Sequence, residues 1–266
     1  YDKPLPEDLL YRIRKQVLPW VAAQFPRYAR DLHAWMYEVD QLIEGVDNRG
    51  RETPAPGTLG ISIVICTHNG ARVLPDALQS VAALRNESQR DWELVVVNNA
   101  STDDTATVVE DCCPTALRSR LRIIDEPRLG LANARVTGVR CARCDVISFV
   151  DDDNRLPEDW LDAIGAVMER HPEIGVVGTD TVAEFDSEPP AWFEAVKSHY
   201  AVGGQGAHVG DITWKRGYVW GAGSSFRVKA LDEALARFPG LLMTGRRGRD
   251  HLAAGEDLSL IHISEP

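Results

Sequence analysis

From Ile61 the chain switches repeatedly between two hydrophobic periods. "ISIVIC", Ile61 to Cys66, is a short β-branched run of the kind found in buried parallel strands. Leu74, Leu78, Val81 and Leu84 then recur at helical spacing. "ELVVV" (Glu93 to Val97) predicts a second strand, and the chain continues with a helix from about Asp103 to Glu110 and a strand at Leu121 to Ile124. A helix from Leu131 to Arg140 and the strand Val146 to Val150 follow. Strand and helix in this rhythm predict βαβ units, and hence an α/β domain with a mostly parallel sheet flanked by helices.

Upstream, Leu9, Leu10, Ile13, Val17 and Val21, then Leu32, Trp35, Met36, Val39 and Leu42, repeat at helical spacings on either side of Pro26, which predicts two amphipathic helices. "DNRGRETPAPGTLG", Asp47 to Gly60, gathers Pro, Gly and polar residues and marks a linker. The expected organisation is a helical extension with linker over residues 1–57 and an α/β domain over 58–257.

In parallel sheets ligands bind beyond the carboxyl ends of the strands. Four polar loops follow the four strands: "THNG", "NNASTDD", "DEPRLG" and "DDDN". The last is the most informative. Asp151, Asp152 and Asp153 at one strand end repel one another unless a cation neutralises them, and Mg²⁺ or Mn²⁺ suits carboxylate oxygens while keeping positions open for substrate phosphates. The competing reading is a helix cap: Asn154 or Glu158 could cap a helix begun by "PEDW", with Pro157 in its first turn. Three aspartates exceed what one cap needs. Arg135, after "RLGLANA", reads either as a clamp on phosphate or on the aspartates, or as a solvated arginine. Asn98 and Asn99 either read a nucleotide base or build an Asx-type turn.

The second half is patterned less clearly. "DSEPPAWFE" interrupts regular structure, and "GYVWGAGSSFRVKAL" (Gly217 to Leu231) reads as a Gly-rich turn before a helix. Gly221 and Gly223 there either admit a ligand close to the backbone or satisfy tight turn geometry. Glu256 and Asp257 of "AAGEDL" are either a general base at the pocket mouth or a helix start. His199, His208 and His251 show no metal-ligand spacing.

Composition narrows the partners. The chain of 266 residues is 44% hydrophobic and carries a net charge of −11 with no basic stripe, so nucleic acid is not an expected partner. No run of about 18 apolar residues predicts a spanning helix, and five cysteines at irregular spacings fit reduced thiols, which together point to a cytoplasmic location. Cys141 and Cys144 form one CxxC without the second pair a zinc site needs. The last nine residues, "LSLIHISEP", can be encoded by CTG TCT CTT ATA CAC ATC TCC GAG CCC, which resembles a transposon-end adapter used in sequencing libraries. Residues 258–266 are therefore expected to be a non-native tail, with the natural chain continuing past Asp257.

Taken in order, "ISIVICTHNG", "VVVNNASTDDT", "GLANARVTGV", "FVDDDN" and "GED" resemble the family 2 glycosyltransferases of the GT-A fold, over roughly Ile61 to Asp257. The resemblance implies a Rossmann-like GT-A domain, truncated at its C-terminus. It also implies inverting, metal-dependent transfer of a sugar from a nucleotide-diphosphate donor to the hydroxyl of a glycan or lipid-linked acceptor, in cell-envelope or extracellular polysaccharide synthesis. By motif match it places Thr67, His68, Asn69, Asn99, Arg135, Asp151 and Asp152 around the nucleotide sugar. Asp153 and Asp151, of the D-x-D motif, would hold Mn²⁺ or Mg²⁺; Trp220, Gly221, Ala222, Gly223 and Glu256 would lie on the acceptor side, and Asp257 would be the catalytic base. Peripheral association with the inner face of the membrane is left open. One departure stands out: the second-strand motif is usually acidic at its first or second place, and both places here are amides. That leaves uridine favoured only modestly among donor bases and motivates an alternative, a non-catalytic nucleotide-binding module. A nucleotidyltransferase is disfavoured, because "THNGARVLP" has one glycine and no lysine.

Overall fold

β-Branched runs that are apolar on both faces have to be covered on both faces, and the fold is built around that requirement. The computed structural model describes residues 58–185, 187–206, 210 and 218–231, all within a single unit, Ala55–Pro266. The two N-terminal helices expected from the sequence, Glu256, Asp257 and the C-terminal tail lie outside the described residues.

The elements run β1 (Ile61–Thr67), α1 (Leu74–Ala82), β2 (Trp92–Asn99), α2 (Thr105–Cys112), β3 (Leu121–Glu126), α3 (Leu131–Cys141), β4 (Val146–Asp151), α4 (Trp160–Arg170), β5 (Val176–Val177), the short α5 (Phe193–Val196) with a 3₁₀ turn (Lys197–Tyr200), and β6 (Ser224–Arg227). They form one sheet of order β3-β2-β1-β4-β6-β5. β1 pairs in parallel with β2 and β4, and β2 with β3, whereas β6 is antiparallel to both β4 and β5.

The alternation of side chains along a strand divides β1 between two cores. Ile61, Ile63 and Ile65 pack with Leu94 and Val96 of β2 against Leu74, Leu78 and Val81 of α1 and Leu161, Ile164 and Met168 of α4. Val64, on the other face, joins Val95, Val97, Ala134, Val139, Ile147, Phe149 and Phe226. Phe149 and Phe226 meet edge-to-face at 5.9 Å, a geometry worth about 0.5–1.5 kcal/mol beyond its burial. Helix α3 approaches β1 closely at Gly138, where a Cβ would stand 2.6 Å from Val64 Cγ1.

The four expected strands are present, and β2 and β3 run two residues further than their apolar cores. Three expectations are corrected. The Gly221–Gly223 turn does not pass straight into a helix: β6 intervenes, and its composition, SSFR, hides it because only Phe226 is apolar. Helix α4 begins at Trp160 rather than at the PEDW prolyl step; its N-cap residue Asp159 makes no side-chain capping bond, and Pro157 sits in the preceding turn, its carbonyl accepting from Trp160 N at 3.1 Å. Asn154 likewise caps nothing: its amide donates to Asp153 Oδ1 at 3.2 Å. Arg135 is not solvated, being 3% exposed.

Candidate functional site

Parallel register brings the ends of four strands to one edge. Thr67 lies opposite Asn98, Cys66 opposite Asp151, and Asn99 opposite Glu126. β6 is antiparallel, with Ser224 opposite Phe149, so its beginning, preceded by Gly221–Gly223, arrives at the same edge. This reversal is what puts the second half of the chain beside the aspartates.

Thr67 ends β1 fully buried, and its hydroxyl donates to Asp152 Oδ2 at 2.5 Å. The contact fits only because residue 70 is glycine: a Cβ there would lie 2.1 Å from Thr67 Oγ1 and 2.6 Å from Asp152 Oδ2. Burial raises the proton affinity of Asp152, the Thr67 bond opposes that shift, and neighbouring Asp153 adds to it. The three aspartates are therefore not equivalent. Asp152 is half-buried and turned to Thr67, Asp153 is exposed, and the Asp151 side chain is 43% exposed with Oδ1 4.0 Å from the guanidinium of Arg135. That guanidinium also lies over the Phe149 ring at 5.7 Å. Beside them, burial pushes the Cys66 thiol up to about 12, so it stays protonated.

Asn69 and His68 link the first two loops. Asn69 adopts φ 56°, a left-handed conformation that asparagine tolerates, and its Oδ1 accepts from Thr102 N at 2.7 Å and Asp103 N at 3.3 Å. The exposed His68 ring sets Nδ1 2.7 Å from the Asn99 carbonyl. Asn99 is 3% exposed and its amide is fully engaged. Nδ2 donates to the carbonyls of Glu126 and Arg128 at 3.1 and 2.8 Å, while Oδ1 accepts from Gly130 N at 2.8 Å. Asn99 thus braces the loop between β3 and α3. Asn98 Nδ2 donates to Asp125 Oδ1 at 2.9 Å.

That same loop holds a residue the sequence reading did not single out. Glu126, buried at the end of β3, receives both Arg128 Nε and Arg128 Nη2 at 2.9 Å, Arg128 N at 2.8 Å and Thr137 Oγ1 at 2.5 Å. A carboxylate two residues before an arginine, in DEPR, was the available signal. The Arg128 fork is the main reason the Glu126 carboxyl drops from 4.5 to about 2, with Thr137 assisting against the cost of burial. A depressed carboxyl contributes stability above its unfolded value and loses it as pH falls toward the folded one. Between pH 5 and 3 the wild-type melting temperature is therefore expected to fall more steeply than that of Glu126→Gln, the two curves converging. Parallel curves from thermal melts would contradict this assignment.

On the far side of the edge, Gly223 N donates to Phe149 O at 3.0 Å, two residues before Asp151, and Thr179 Oγ1 donates to Gly223 O at 3.1 Å. Gly223 needs its glycine, with φ +71° and a would-be Cβ 2.6 Å from Thr179 Oγ1. Gly221 is buried and its carbonyl accepts from the Ser224 hydroxyl at 2.8 Å; Ala222 is half-buried. Trp220 N donates to Gln205 Oε1 at 2.5 Å. Among the described residues, no group of three or more His, Cys, Asp or Glu side chains is set to hold a metal by itself, no helix is long and apolar enough to cross a membrane, and the five cysteines are free thiols.

The profile of Glycosyl transferase family 2 matches residues 62–235. Among curated proteins, the chain is 26% identical over 135 residues to the putative glycosyltransferase EpsH of Bacillus subtilis strain 168, covering 51% of this chain and 36% of that protein. It is 34% identical over 122 residues to a PGL/p-HBAD biosynthesis glycosyltransferase of Mycobacterium bovis strain BCG, covering 46% of each. The chain thus spans less than half the length of these relatives. Among solved structures, residues 1–349 of S. aureus TarS match with a TM-score of 0.54 at 18% identity, over 77% of this chain and 55% of that one; a UDP-GlcNAc complex of the same protein matches equally, at 17% identity over 77% and 53%. At such identities the likeness establishes the fold.

Proposed function

The chain belongs to glycosyl transferase family 2, and from that premise we propose that it is an inverting glycosyltransferase that moves a sugar from a nucleotide-diphosphate donor to an acceptor hydroxyl. One observation carries the reading: two accessible carboxylates, Asp151 and Asp153, stand with the buried Arg135 where four strand-end loops converge. That TarS has been solved with UDP-GlcNAc supports a nucleotide-sugar donor for this fold.

The donor set suits a hard divalent ion. Mg²⁺ and Mn²⁺ take one or two carboxylates plus substrate phosphates and water rather than a closed protein cage, which is what Asp151 and Asp153 offer; Asp152 is occupied by Thr67. Such an ion, when bound, supplies charge stabilisation for a departing diphosphate. Arg135 holds Asp151 in place from the protein side and adds positive potential at the same edge. The loops from "THNG" and "NNASTDD", tied together by Asn69, form the wall against which the nucleoside is bound. In the transfer, the acceptor oxygen attacks the anomeric carbon, the bond from that carbon to the diphosphate oxygen breaks, and the acceptor proton passes to a base, which the GED motif assigns to Asp257, with Glu256 beside it. General-base catalysis of this kind contributes about 10²–10⁴-fold. Envelope or extracellular polysaccharide synthesis at the inner membrane face is the setting we propose.

The amides at Asn98 and Asn99 had favoured a binding module without catalysis. The bracing role of Asn99 gives its amide a different reason to exist, and the transferase reading is the stronger. Calorimetry of UDP and GDP with and without Mn²⁺, paired with sugar-nucleotide turnover by the intact protein, tests it. Mn²⁺-dependent binding with turnover is expected; nucleotide binding without hydrolysis or transfer across donors and acceptors would overturn it.

A further inference from the structure

The three aspartates differ in what holds them. Thr67 holds Asp152 and Arg135 stands beside Asp151, whereas the side chain of Asp153, among the described residues, hydrogen-bonds only with Asn154, its neighbour in the chain. Where Asp153 points is therefore set by the backbone that carries it. That backbone turns at once, Asn154 N donating to Asp151 O at 3.0 Å, and the next side chain after the turn is Arg155. Its Nη2 lies 2.6 Å from Asp76 Oδ2, in the first turn of α1, and its Nη1 lies 2.7 Å from Glu184 Oε2, in the segment that follows β5.

Each partner leads back to the same sheet edge. Helix α1 follows the THNG loop, and its Ser80 Oγ accepts from Leu156 N at 3.1 Å. The segment of Glu184 includes Thr179, whose hydroxyl donates to Gly223 O, while Gly223 N donates to Phe149 O at 3.0 Å. The stretch from Phe149 to Leu156 is thus tied down at both ends, and Arg155 reaches both of the segments that flank it. We propose that Arg155 is a positioning residue, a two-armed latch that holds the backbone of Asp153 in place for the divalent ion. The proposal rests on the transferase reading and adds to it a residue outside the strand-end motifs.

Exposed ion pairs taken singly contribute little to stability, and all three side chains are partly in solvent. A latch needs something else. A planar guanidinium shared between carboxylates on two separate segments fixes direction as well as distance, and a lysine, with one point of charge, cannot serve both arms in the same way. Charge alone predicts the opposite result from a latch. Removing a cation beside a cation site strengthens binding if only through-space attraction matters, whereas removing a latch weakens it.

The test is a Mn²⁺ titration of the 266-residue chain read by electron paramagnetic resonance, with and without UDP or GDP, beside amide hydrogen exchange and thermal melts. Arg155→Ala is expected to weaken Mn²⁺ binding about 3- to 10-fold, the worth of two exposed pairs acting together. It is also expected to speed exchange at the amides of Asn154 and Leu156 and to leave the melting temperature unchanged. Arg155→Lys is expected to recover part of the loss. Asp76→Asn and Glu184→Gln each weaken binding in the wild-type background and have no further effect once Arg155 is alanine, because their partner is gone. The proposal is overturned if Arg155→Ala binds Mn²⁺ equally well or more tightly, if the effects of the carboxylate variants add to it in full, or if the melting temperature collapses with it. The two readings fail separately: Mn²⁺ binding by the wild type and Arg155→Ala alike sinks the latch alone, whereas a wild type that binds no Mn²⁺, with or without nucleotide, sinks the ion reading and the latch with it.

Discussion

Asp153→Ala is expected to remove sugar-nucleotide turnover in the intact protein while leaving its melting temperature unchanged. The side chain is exposed and its one hydrogen bond is to the neighbouring Asn154, so its loss costs folding no more than about 0.5 kcal/mol. Its proposed work is electrostatic: it shares with Asp151 the ion that balances charge on the leaving diphosphate. Withdrawing one such preorganised group costs roughly 10²–10³ in rate, and losing the ion as well adds to that. Steady-state kinetics across a Mn²⁺ titration reads the effect. Turnover equal to wild type would remove Asp153 from the site, and a collapse of the melting temperature would show its role to be structural instead.

The second large effect is on stability. Asn99→Asp changes one heavy atom and introduces an acid at the end of β2, and it is expected to destabilise this protein. Asn99 donates to two carbonyls, those of Glu126 and Arg128, and a carboxylate can donate to neither. Only the bond from Gly130 N survives; the Arg128 carbonyl still accepts from Asn133 Nδ2 at 3.2 Å, but the buried Glu126 carbonyl is left facing a negative charge. Leaving such a group unsatisfied costs about 1–3 kcal/mol, which for a domain of this size lowers the melting midpoint by roughly 2–12 °C. A thermal melt at neutral pH decides the matter, and a midpoint within a degree of wild type would mean the amide does not brace the loop. Because Asn99 also presents its carbonyl to His68, the loop and the first-strand residues are expected to loosen together.

These two residues mark how far a reading of the sequence can reach. The aspartate triplet after an apolar strand could be read directly, since mutual repulsion among adjacent carboxylates is a local property. Asn99 could be placed at a strand end but not given its partners, because its three bonds reach residues 27 to 31 positions away. Glu126 went unread for a related reason: its depressed acidity depends on a fork from Arg128 and a hydroxyl from Thr137 that become neighbours only when β3 turns back into α3. Gly70 belongs to the same class, its need for no side chain arising from Thr67 and Asp152, two strands brought side by side.

What the sequence determined alone is the repeating alternation of strand and helix, the parallel sheet that follows from it, and the list of polar loops that must meet at one edge. Period and β-branching are local, and both faces of an apolar strand require cover wherever it lies. The tertiary structure decided which way the later strands run and how alike the three aspartates are. β6 enters antiparallel and delivers Gly221–Gly223 to the same edge, and burial against Thr67 turns Asp152 inward while Asp153 stays in solvent. Both outcomes depend on contacts across more than 70 residues of chain, where pairing and desolvation are set by packing and no local pattern of residues carries them.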